Sequence, residues 1–381
     1  MMGEATVAPG TPMPSNVHEA RKRAVVERSV TAWRRLACRN HDSPATLVRI
    51  PVTPPVRIRI AGARTMKQRA VRRGLDRAIS GFFTWRTALD IRQHEPWIIL
   101  SDQHKGAGDH ADEFVRCVPT YLSALAHYNA AGFRLVLLGD VEELWENSYR
   151  EVTKAHRNVL ESEAAFGTHR YLRIWGNHDD RWMEEMLVAI ELRPYAPGIG
   201  LRRVWEGCRI SVRDGDQKIG TLFMTHGHQG TAGSDRFAFV SRVALVVYRW
   251  LQNRFGVGWF GGVDLPSQDA ALRGEHDVMM YNWAVNQEKM MLIVGHTHKP
   301  VWAGRTKENQ HEPGSLPAYF NTGCCKFDDG DITGIEIQDG VLRLIRWKTT
   351  AAGPLRTVLR EARLVDLFNE LPGGPGTPVT A

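Results

Sequence analysis

Five short clusters of Asp, Asn and His follow apolar runs in the sequence. They are Asp102-x-His104, Gly139-Asp140, Gly176-Asn177-His178-Asp179, His226-Gly227-His228 and Gly295-His296-Thr297-His298. Imidazole nitrogens combined with carboxylate and amide oxygens suit Mn, Fe, Zn or a similar divalent ion. The clusters contain no cysteine, so a structural thiolate zinc site is not indicated. In the D-x-H and H-x-H pairs, residues two apart can project the same way at a strand end and reach one ion or a neighbouring pair.

Each cluster taken singly has a plainer explanation. An isolated His beside an apolar strand is usually hydrogen bonded in the interior, and Gly-Asp after a strand is commonly a turn. Five such clusters, each closing a separate predicted strand, favour one shared metal site over five unrelated features.

The apolar runs that precede the clusters have the pattern of buried strands. They occur in PWIILSDQH, FRLVLLGD, RYLRIWGNHD, IGTLFMTHGH, MMLIVGHTH and AYFNTGCC. Short continuous apolar runs indicate strands covered on both faces, and the amphipathic segments 109–130 and 148–165 indicate helices between them. The sequence therefore predicts an α/β sheet with helices outside. Ligands collect beyond the carboxyl ends of strands in such sheets, which is where the clusters fall.

Two further strand-like runs, DITGIEI and VLRLIRWK, are joined by Gln-Asp-Gly. A glycine-containing turn between two such runs predicts a β-hairpin. We expect this hairpin to complete a second sheet packed on the first.

The composition is that of an ordinary globular protein. The 381 residues are 43% hydrophobic and 24% charged, which argues against a disordered or fibrous chain. Arginines interrupt the longest apolar stretch, 237–255, so no membrane span is predicted. The N-terminus lacks the apolar core of a secretory signal, and the five cysteines form no CxxC pair. We therefore expect a cytoplasmic protein with reduced cysteines.

The net charge of +7 is concentrated near the N-terminus. Residues 1–95 hold 18 Lys and Arg against 7 Asp and Glu, which leaves the rest of the chain with a net negative charge. Such a bias can attract nucleic acid or anionic lipid. Because these arginines are dispersed among apolar residues, the pattern favours a solvated face.

The ordered set D-x-H, G-D, G-N-H-D, H and G-H-x-H resembles the calcineurin-like metallophosphoesterase superfamily over residues 96–348. The resemblance implies a four-layered α/β/β/α sandwich of two mixed sheets, with a dinuclear metal centre at the strand ends. It assigns one ion to Asp102, His104, Asp140 and His298, and the other to Asp140, Asn177, His226 and His296. Asp140 would bridge the two ions. Mn²⁺ is the expected metal, with Fe, Zn, Ni or Mg as alternatives.

The resemblance also implies a mechanism. Two divalent ions lower the pKa of a shared water and stabilise the attacking and leaving oxygens, so a metal-bridging hydroxide is the expected nucleophile. His178, next to the ligand Asn177, is placed to contact a phosphoryl oxygen or protonate the leaving group. We expect Asp179 to orient His178, because carboxylates commonly fix the direction of functional histidines.

Further candidates for substrate contacts are Lys105, Arg181 and His228. Cations beside a phosphoryl site stabilise developing charge, but Lys105 and Arg181 could equally form ion pairs. His228 could lie behind the ligands or face the substrate. His226 is the preferred ligand of that pair because it is closer to the strand.

A narrower similarity joins ILSDQH, LLGDVEELW and VGHTHKP to the UDP-2,3-diacylglucosamine pyrophosphohydrolase branch of that superfamily. In that branch Glu and Trp follow the Gly-Asp pair, and Glu143 and Trp145 match them here. This chain has His228 and His178 where the branch has Asp and, usually, Arg.

The expected domain organisation has four parts. Residues 1–17 are expected to be a disordered tail and 18–95 a basic extension. The metallophosphoesterase domain is expected at 96–350, with a helical insertion or lid at 229–289. Residues 351–381 are expected to hold a C-terminal helix and a disordered tail.

The sequence thus predicts an enzyme that hydrolyses phosphate mono- or diesters, or pyrophosphate bonds in nucleotide-linked substrates. A nuclease that uses the basic N-terminal region and a non-catalytic interaction module are the alternatives. The segment 237–255 is interpreted as a core helix, and a substrate-covering role or peripheral contact with a membrane stays open. A phosphoprotein phosphatase is disfavoured, because the chain reads GDVEELW and GNHD rather than GDxVDRG and GNHE.

Overall fold

The computed structural model describes residues 58–195, 203–230, 270–304 and 315–373. All of them belong to one unit of the chain, Arg57–Ala381. The predicted tail 1–17, the segment 237–255 and most of the 229–289 insertion lie outside the described residues.

The described residues form helices, shorter helical turns and strands. The helices are α1 (Ile58–Ser80), α2 (Val118–Ala130), α3 (Tyr149–Ala155), α4 (Arg157–Ala164), α5 (Ala270–Ala284) and α6 (Leu364–Asn369). Shorter helical turns cover Glu113–Cys117, Asp180–Met183, Glu185–Leu187, Val188–Leu192 and Arg193–Tyr195. The strands are β1 (Thr84–Asp90), β2 (Trp97–Leu100), β3 (Arg134–Leu138), β4 (Tyr171–Ile174), β5 (Gly207–Asp214), β6 (Gln217–Thr225), β7 (Met290–Val294), β8 (Tyr319–Asn321), β9 (Ile332–Gln338), β10 (Val341–Thr350) and β11 (Gly353–Arg363).

The strands form two mixed sheets. Sheet I has the order β1-β5-β6-β7-β8, in which β6, β7 and β8 run parallel. Sheet II has the order β11-β10-β9-β2-β3-β4, in which β2, β3 and β4 run parallel. Each sheet therefore holds three neighbouring parallel strands whose carboxyl ends lie at one edge.

Side chains along β2 show how the layers pack. Trp97 and Ile99 lie in a core shared with sheet I, whereas Ile98 and Leu100 lie in a second core with residues of α2. Both faces of sheet II are therefore covered, as the continuous apolar runs predicted. Helices α1 and α5 pack on strands of sheet I. The predicted α/β fold in four layers, α/β/β/α, is confirmed.

All six predicted strands are present, three in each sheet, and the predicted hairpin is β9–β10. The hairpin lies in sheet II, where β9 pairs antiparallel with β2, so it completes the second of the two packed sheets as expected. Strand β2 is fully buried. Its backbone groups need partners on both sides, and β3 and β9 supply them.

Residues 58–95 were expected to form an extension outside the 96–350 domain, but the structure packs helix α1 and strand β1 into the domain. Strand β1 pairs in parallel with β5 from Thr84 to Asp90. Val71, Leu75 and Ala78 of α1 are buried in the shared core. Their spacing of four and three residues places them on one face of the helix.

Two other element boundaries also differ from expectation. The helix expected from residue 109 begins at Val118, after a helical turn, and Pro119 occupies its first turn. Proline is suited to that position, where its missing N–H is not needed. Beyond residue 350, strand β11 pairs with β10 and precedes the short helix α6.

Within the described residues, no helix combines the length and apolar character needed to cross a bilayer.

Candidate metal centre

The predicted ligand clusters converge where the edges of the two sheets meet. Sheet II supplies Asp102 and His104 after β2, Asp140 after β3 and Asn177 after β4. Sheet I supplies His226 after β6, and His296 and His298 after β7. Backbone hydrogen bonds continue past the strand ends, with His104 N donating to Asp140 O at 2.9 Å and Gly295 N donating to His226 O at 2.9 Å. The loops that carry the ligands are thus held side by side.

Asp102, His104 and His298 form a first donor group, in which one ligand atom from each lies within 4.8 Å of the others. His298 Nε2 lies 3.2 Å from Asp102 Oδ1 and 3.2 Å from His104 Nε2. Two ring nitrogens and a carboxylate oxygen that converge in this way can hold a divalent cation.

Asp140, His226 and His296 form a second donor group of the same compactness. Asp140 Oδ2 lies 3.0 Å from His226 Nε2 and 3.6 Å from His104 Nε2. One carboxylate oxygen of Asp140 therefore reaches a ring nitrogen of each donor group, which is the arrangement a bridging ligand requires.

Asn177 gives an independent test of whether the residues fit metal ions. Its Oδ1 atom is buried and accepts no hydrogen bond from the described part of the chain. A buried amide oxygen without a partner is costly, and a cation would satisfy it. His226 Nδ1 lies 2.9 Å from Leu138 O and so carries a proton, which directs Nε2 toward Asp140. The donor set fits two divalent ions.

The electrostatics of the two donor groups favour carboxylates and mostly neutral imidazoles. Burial opposes ionisation of Asp140, but His226 and His178 hold its pKa well below its usual value. Burial lowers the pKa of His298 to about 4 and that of His296 well below the ordinary histidine value. His226 differs, because Asp140 and Asp102 overcome burial and raise its pKa to about 9.

Five of the predicted ligands have left-handed backbone conformations. The residues and their φ angles are Asp102 (54°), His104 (49°), Asp140 (50°), His296 (66°) and His298 (56°). Non-glycine residues rarely adopt this region, and each costs about 1–3 kcal/mol unless its surroundings impose it. Such strain concentrates at functional sites, which supports a shared role for these positions.

The glycines next to the ligands allow a close approach that no side chain would permit. A Cβ atom on Gly139, whose φ is 84°, would lie 2.5 Å from Cγ of His226. A Cβ atom on Gly295 would collide with the carboxylate of Asp102. The glycines of the Gly-Asp and Gly-His-x-His motifs are therefore required for packing at the site.

Glu143 orients two histidines of the site. Its carboxylate oxygens lie 2.9 Å from His104 Nδ1 and 2.8 Å from His178 Nδ1. Trp145 stacks on the His178 ring with centroids 4.1 Å apart. The expectation that Asp179 orients His178 was therefore wrong. The sequence pointed to Glu143 only through its position after Gly139-Asp140. That position does not reveal which side chains Glu143 contacts.

Asp179 instead connects the loops that carry two ligands. Its Oδ1 accepts a hydrogen bond from Gly176 N at 2.6 Å, and its Oδ2 accepts one from Val141 N at 3.0 Å. Arg173 donates to the same carboxylate at 3.4 Å. Burial raises the pKa of Asp179 to about 6. Asp179 therefore positions the segments around Asp140 and Asn177 rather than the ring of His178.

Lys105 and Arg181, two of the candidate substrate contacts, form ion pairs with carboxylates of the chain. Lys105 is buried, and its Nζ donates to Glu163 at 2.8 Å and lies 3.6 Å from Glu142, in a network behind the site. Burial and these carboxylates favour the ion-pair alternative for Lys105 over a contact with substrate. Arg181 donates to Glu191 at 2.9 Å on the surface.

His228 is buried behind the second donor group. Its ring packs against Trp175, with centroids 5.0 Å apart, and against His226, with centroids 5.6 Å apart. Burial lowers the pKa of His228 to about 3. A neutral, buried ring in this position supports the ligand His226, which is one of the two roles expected for it.

Comparisons with known proteins give distant likenesses to solved structures. No protein family and no curated protein matches the sequence. Vacuolar protein sorting 29 from Cryptosporidium parvum is 12% identical over 71% of this chain and 98% of that chain, with a TM-score of 0.33. A dimetal phosphatase from Danio rerio is 10% identical over 70% of this chain and 99% of that chain, with a TM-score of 0.37. Likenesses this weak carry no argument about this chain, whose function must be inferred from its own residues.

Proposed function

We propose that the protein is a dinuclear metal-dependent phosphoesterase that hydrolyses phosphate mono- or diester or pyrophosphate bonds. The observation that carries this proposal is the position of Asp140, whose Oδ2 lies within 3.6 Å of ring nitrogens from both donor groups. Asp102, His104 and His298 would hold one ion with Asp140. Asn177, His226 and His296 would hold the other, again with Asp140.

Two divalent ions in these positions would supply activation of a water molecule and neutralisation of charge on the phosphoryl oxygens. Mn²⁺ is the first metal to test, with Fe, Zn, Ni or Mg as alternatives, because imidazole, carboxylate and amide donors together suit a range of divalent ions. The chain's own contribution is to hold the donor atoms in place, and the side chains of Asp102 and Asp140 are almost completely buried.

His178 is the residue we assign to proton transfer. Glu143 holds its Nδ1 atom, so the proton delivered to a leaving-group oxygen would be carried on Nε2. Trp145 stacked on the ring restricts its rotation. His178 N also donates to Asp140 Oδ1 at 2.9 Å, which ties the backbone of the proton donor to the bridging ligand.

The substrate class is the finer part of the proposal. A phosphorylated small molecule or a nucleotide-linked pyrophosphate suits the site, and a UDP-2,3-diacylglucosamine-type pyrophosphohydrolase is the narrower candidate, supported by Glu143 and Trp145. A nuclease would depend on the basic N-terminal region, much of which lies outside the described residues. Hydrolysis rates measured on a panel of aryl phosphates, cyclic and linear diesters and nucleotide-sugar pyrophosphates would distinguish these substrate classes.

The test combines metal content with turnover. Purified protein supplied with Mn²⁺ should bind two ions per chain and hydrolyse an aryl phosphate ester, and Asp140→Asn should lose bound metal and turnover. Asp339→Asn is the matched control, because Asp339 is exposed but has nearly the same φ angle as Asp140, 51° against 50°. Wild-type protein that neither binds metal nor cleaves any ester would refute the proposal. Two bound ions without turnover on any substrate would favour a non-catalytic interaction module.

A further inference from the structure

An ion pair lies beside the first donor group. Lys326 Nζ lies 3.1 Å from Glu113 Oε2. Lys326 comes directly after Cys325, whose backbone N donates to Asp102 O at 3.3 Å. Glu113 begins the helical turn that precedes α2. The pair therefore joins the loop after β8 to the loop after β2, next to the ligand Asp102.

The pair consists of two opposite charges. Burial opposes ionisation of Glu113, but the neighbouring ammonium of Lys326 lowers its pKa below the usual value. An ion pair therefore lies beside the loop that carries Asp102.

A lysine in this position is unfavourable unless an anion lies near it. The Lys326 side chain is only 12% exposed, so its interaction with a neighbouring cation would be poorly screened by solvent. Two divalent ions at the centre would repel it. Glu113, which is 50% exposed, compensates the charge of Lys326 and can move into solvent when a stronger anion arrives.

We propose that Lys326 binds a phosphate oxygen of the substrate, and that Glu113 is its counter-ion when no substrate is bound. This inference rests on the proposed function and adds a substrate-binding residue to it. It replaces Lys105 and Arg181, which are paired to Glu163 and Glu191. The shared chemistry is an anionic phosphate oxygen, either on the phosphoryl group that is attacked or on a second phosphate of a pyrophosphate.

The test compares Lys326→Met with Lys348→Met, an exposed lysine on β10. A charge-assisted hydrogen bond to substrate contributes enough that Lys326→Met should raise KM about tenfold or more, with kcat much less affected. Bound metal should stay at the wild-type level, and Lys326→Arg should restore part of the affinity. An equal rise in KM for an aryl phosphate and a nucleotide-linked pyrophosphate would place Lys326 on the attacked phosphoryl group. A rise for the pyrophosphate alone would place it on the second phosphate.

Binding of inorganic phosphate, measured by calorimetry, gives a readout that does not need turnover. Lys326→Met should weaken it about tenfold, and Glu113→Gln should strengthen it by removing the competing carboxylate. If Lys326→Met leaves both KM and phosphate affinity at the wild-type values, the inference is wrong. Absent turnover with intact, Lys326-dependent phosphate binding would refute the proposed function while supporting this inference. A wild-type protein that binds no phosphate would overturn it.

Discussion

At the scale of single residues, Glu143 has the broadest influence on the candidate site. One carboxylate contacts a proposed metal ligand, His104, and the proposed proton donor, His178, and so fixes the ring direction of both. Carboxylates that orient ligand histidines also raise the basicity of the metal-facing nitrogen. Because Glu143 connects binding and catalysis, its replacement should affect both.

We predict that Glu143→Gln lowers kcat about 10- to 100-fold and weakens metal binding, since outer carboxylate partners of metal ligands have effects of this size. Gln keeps the size of the side chain but loses the charge that holds both rings. Steady-state kinetics and metal content check the prediction. Glu161→Gln, an exposed carboxylate on α4 paired with Arg157, is the control and should retain wild-type values. Wild-type kcat in Glu143→Gln would rule out the orienting role.

Metal binding should become stronger as pH rises. The pKa of His226 is about 9 without metal, so its Nε2 is protonated at neutral pH and a metal ion must displace that proton. His296 and His298 have lowered pKa values and are already neutral. We expect affinity to rise about tenfold per pH unit from about pH 7 to about pH 9, with one proton released per chain on binding. Calorimetry in buffers of different ionisation enthalpy measures the release, and a flat pH profile would contradict the assignment.

At the scale of elements, the site depends on loops that pack more tightly than most side chains allow. Gly139 lies against His226, and Gly295 lies against Asp102. Behind these loops, Arg173 is buried among acidic groups and donates to Glu142 and Asp179. Close backbone packing in front and a buried charge network behind together fix the ends of β3, β4 and β7.

Gly139→Ala should abolish the second donor group, because the added Cβ would displace His226. Gly167→Ala is the matched control, since Gly167 also has a positive φ, 71°, but no atom lies within 4 Å of an added Cβ. Both variants should lose about 1 kcal/mol or more of unfolding free energy through backbone strain. Only Gly139→Ala should lose bound metal, and equal metal content in the two variants would show that the close approach is unimportant.

Arg173→Met should strongly destabilise the fold. It would leave Glu142 and Asp179 buried without their compensating charge, and breaking a buried pair in this way costs about 3–5 kcal/mol. Arg181→Met removes the half-exposed ion pair with Glu191 and should cost no more than about 1 kcal/mol. Urea unfolding of both variants provides the comparison. Similar midpoints would mean that Arg173 contributes no more than a surface arginine.

The sequence predicted these elements unevenly, for physical reasons. Continuous apolar runs identified all six strands before the ligand clusters, because burial on both faces leaves a strong pattern. The partner of β2 could not be predicted, since pairing between β2 and β9 depends on contacts more than 200 residues apart in the chain. Likewise, Ser101 and Gly323 show no pattern that would reveal their hydrogen bond across the site.

The convergence of the candidate ligands could be predicted from residue types and spacing, whereas the contacts that support them could not. Asp102, Asp140 and His226 are acids and imidazoles at strand ends, where local sequence indicates their chemistry. The pairing of Lys105 with Glu163 and the contact of Glu143 with His178 depend on which loops meet in three dimensions. The position of Lys326 beside the site could not be predicted for the same reason. It depends on the loop after β8 meeting the loop after β2.

At the scale of the whole molecule, each donor group takes residues from both sheets. In the first group Asp102 and His104 come from sheet II and His298 from sheet I. In the second, Asp140 comes from sheet II and His226 and His296 from sheet I. An ion bound in either group would therefore connect the two sheets as well as serve the reaction.

Metal removal should consequently lower the stability of the whole domain. Ligand binding to the folded state alone contributes about 2.7 kcal/mol when the free ligand is a hundred times its Kd. We expect Mn²⁺ to raise Tm and a chelator to reverse the rise, and hydrogen exchange at the ends of β3 and β6 should slow when metal is present. Asp140→Asn should show neither effect. If the Tm of the wild-type protein does not change when metal is added, a metal site shared between the sheets is contradicted.

Five of the candidate ligands have left-handed φ angles. The short motifs that contain them would therefore not keep their geometry outside the fold. A free peptide with the sequence Gly295-His296-Thr297-His298 has no neighbouring strand to impose that geometry, so its chain would relax to ordinary dihedral angles and separate the two imidazoles. Grafting such a tetrapeptide onto another scaffold would transfer the side chains without their arrangement. A transplant that works would have to carry the abutting ends of β2, β3, β6 and β7 as one piece.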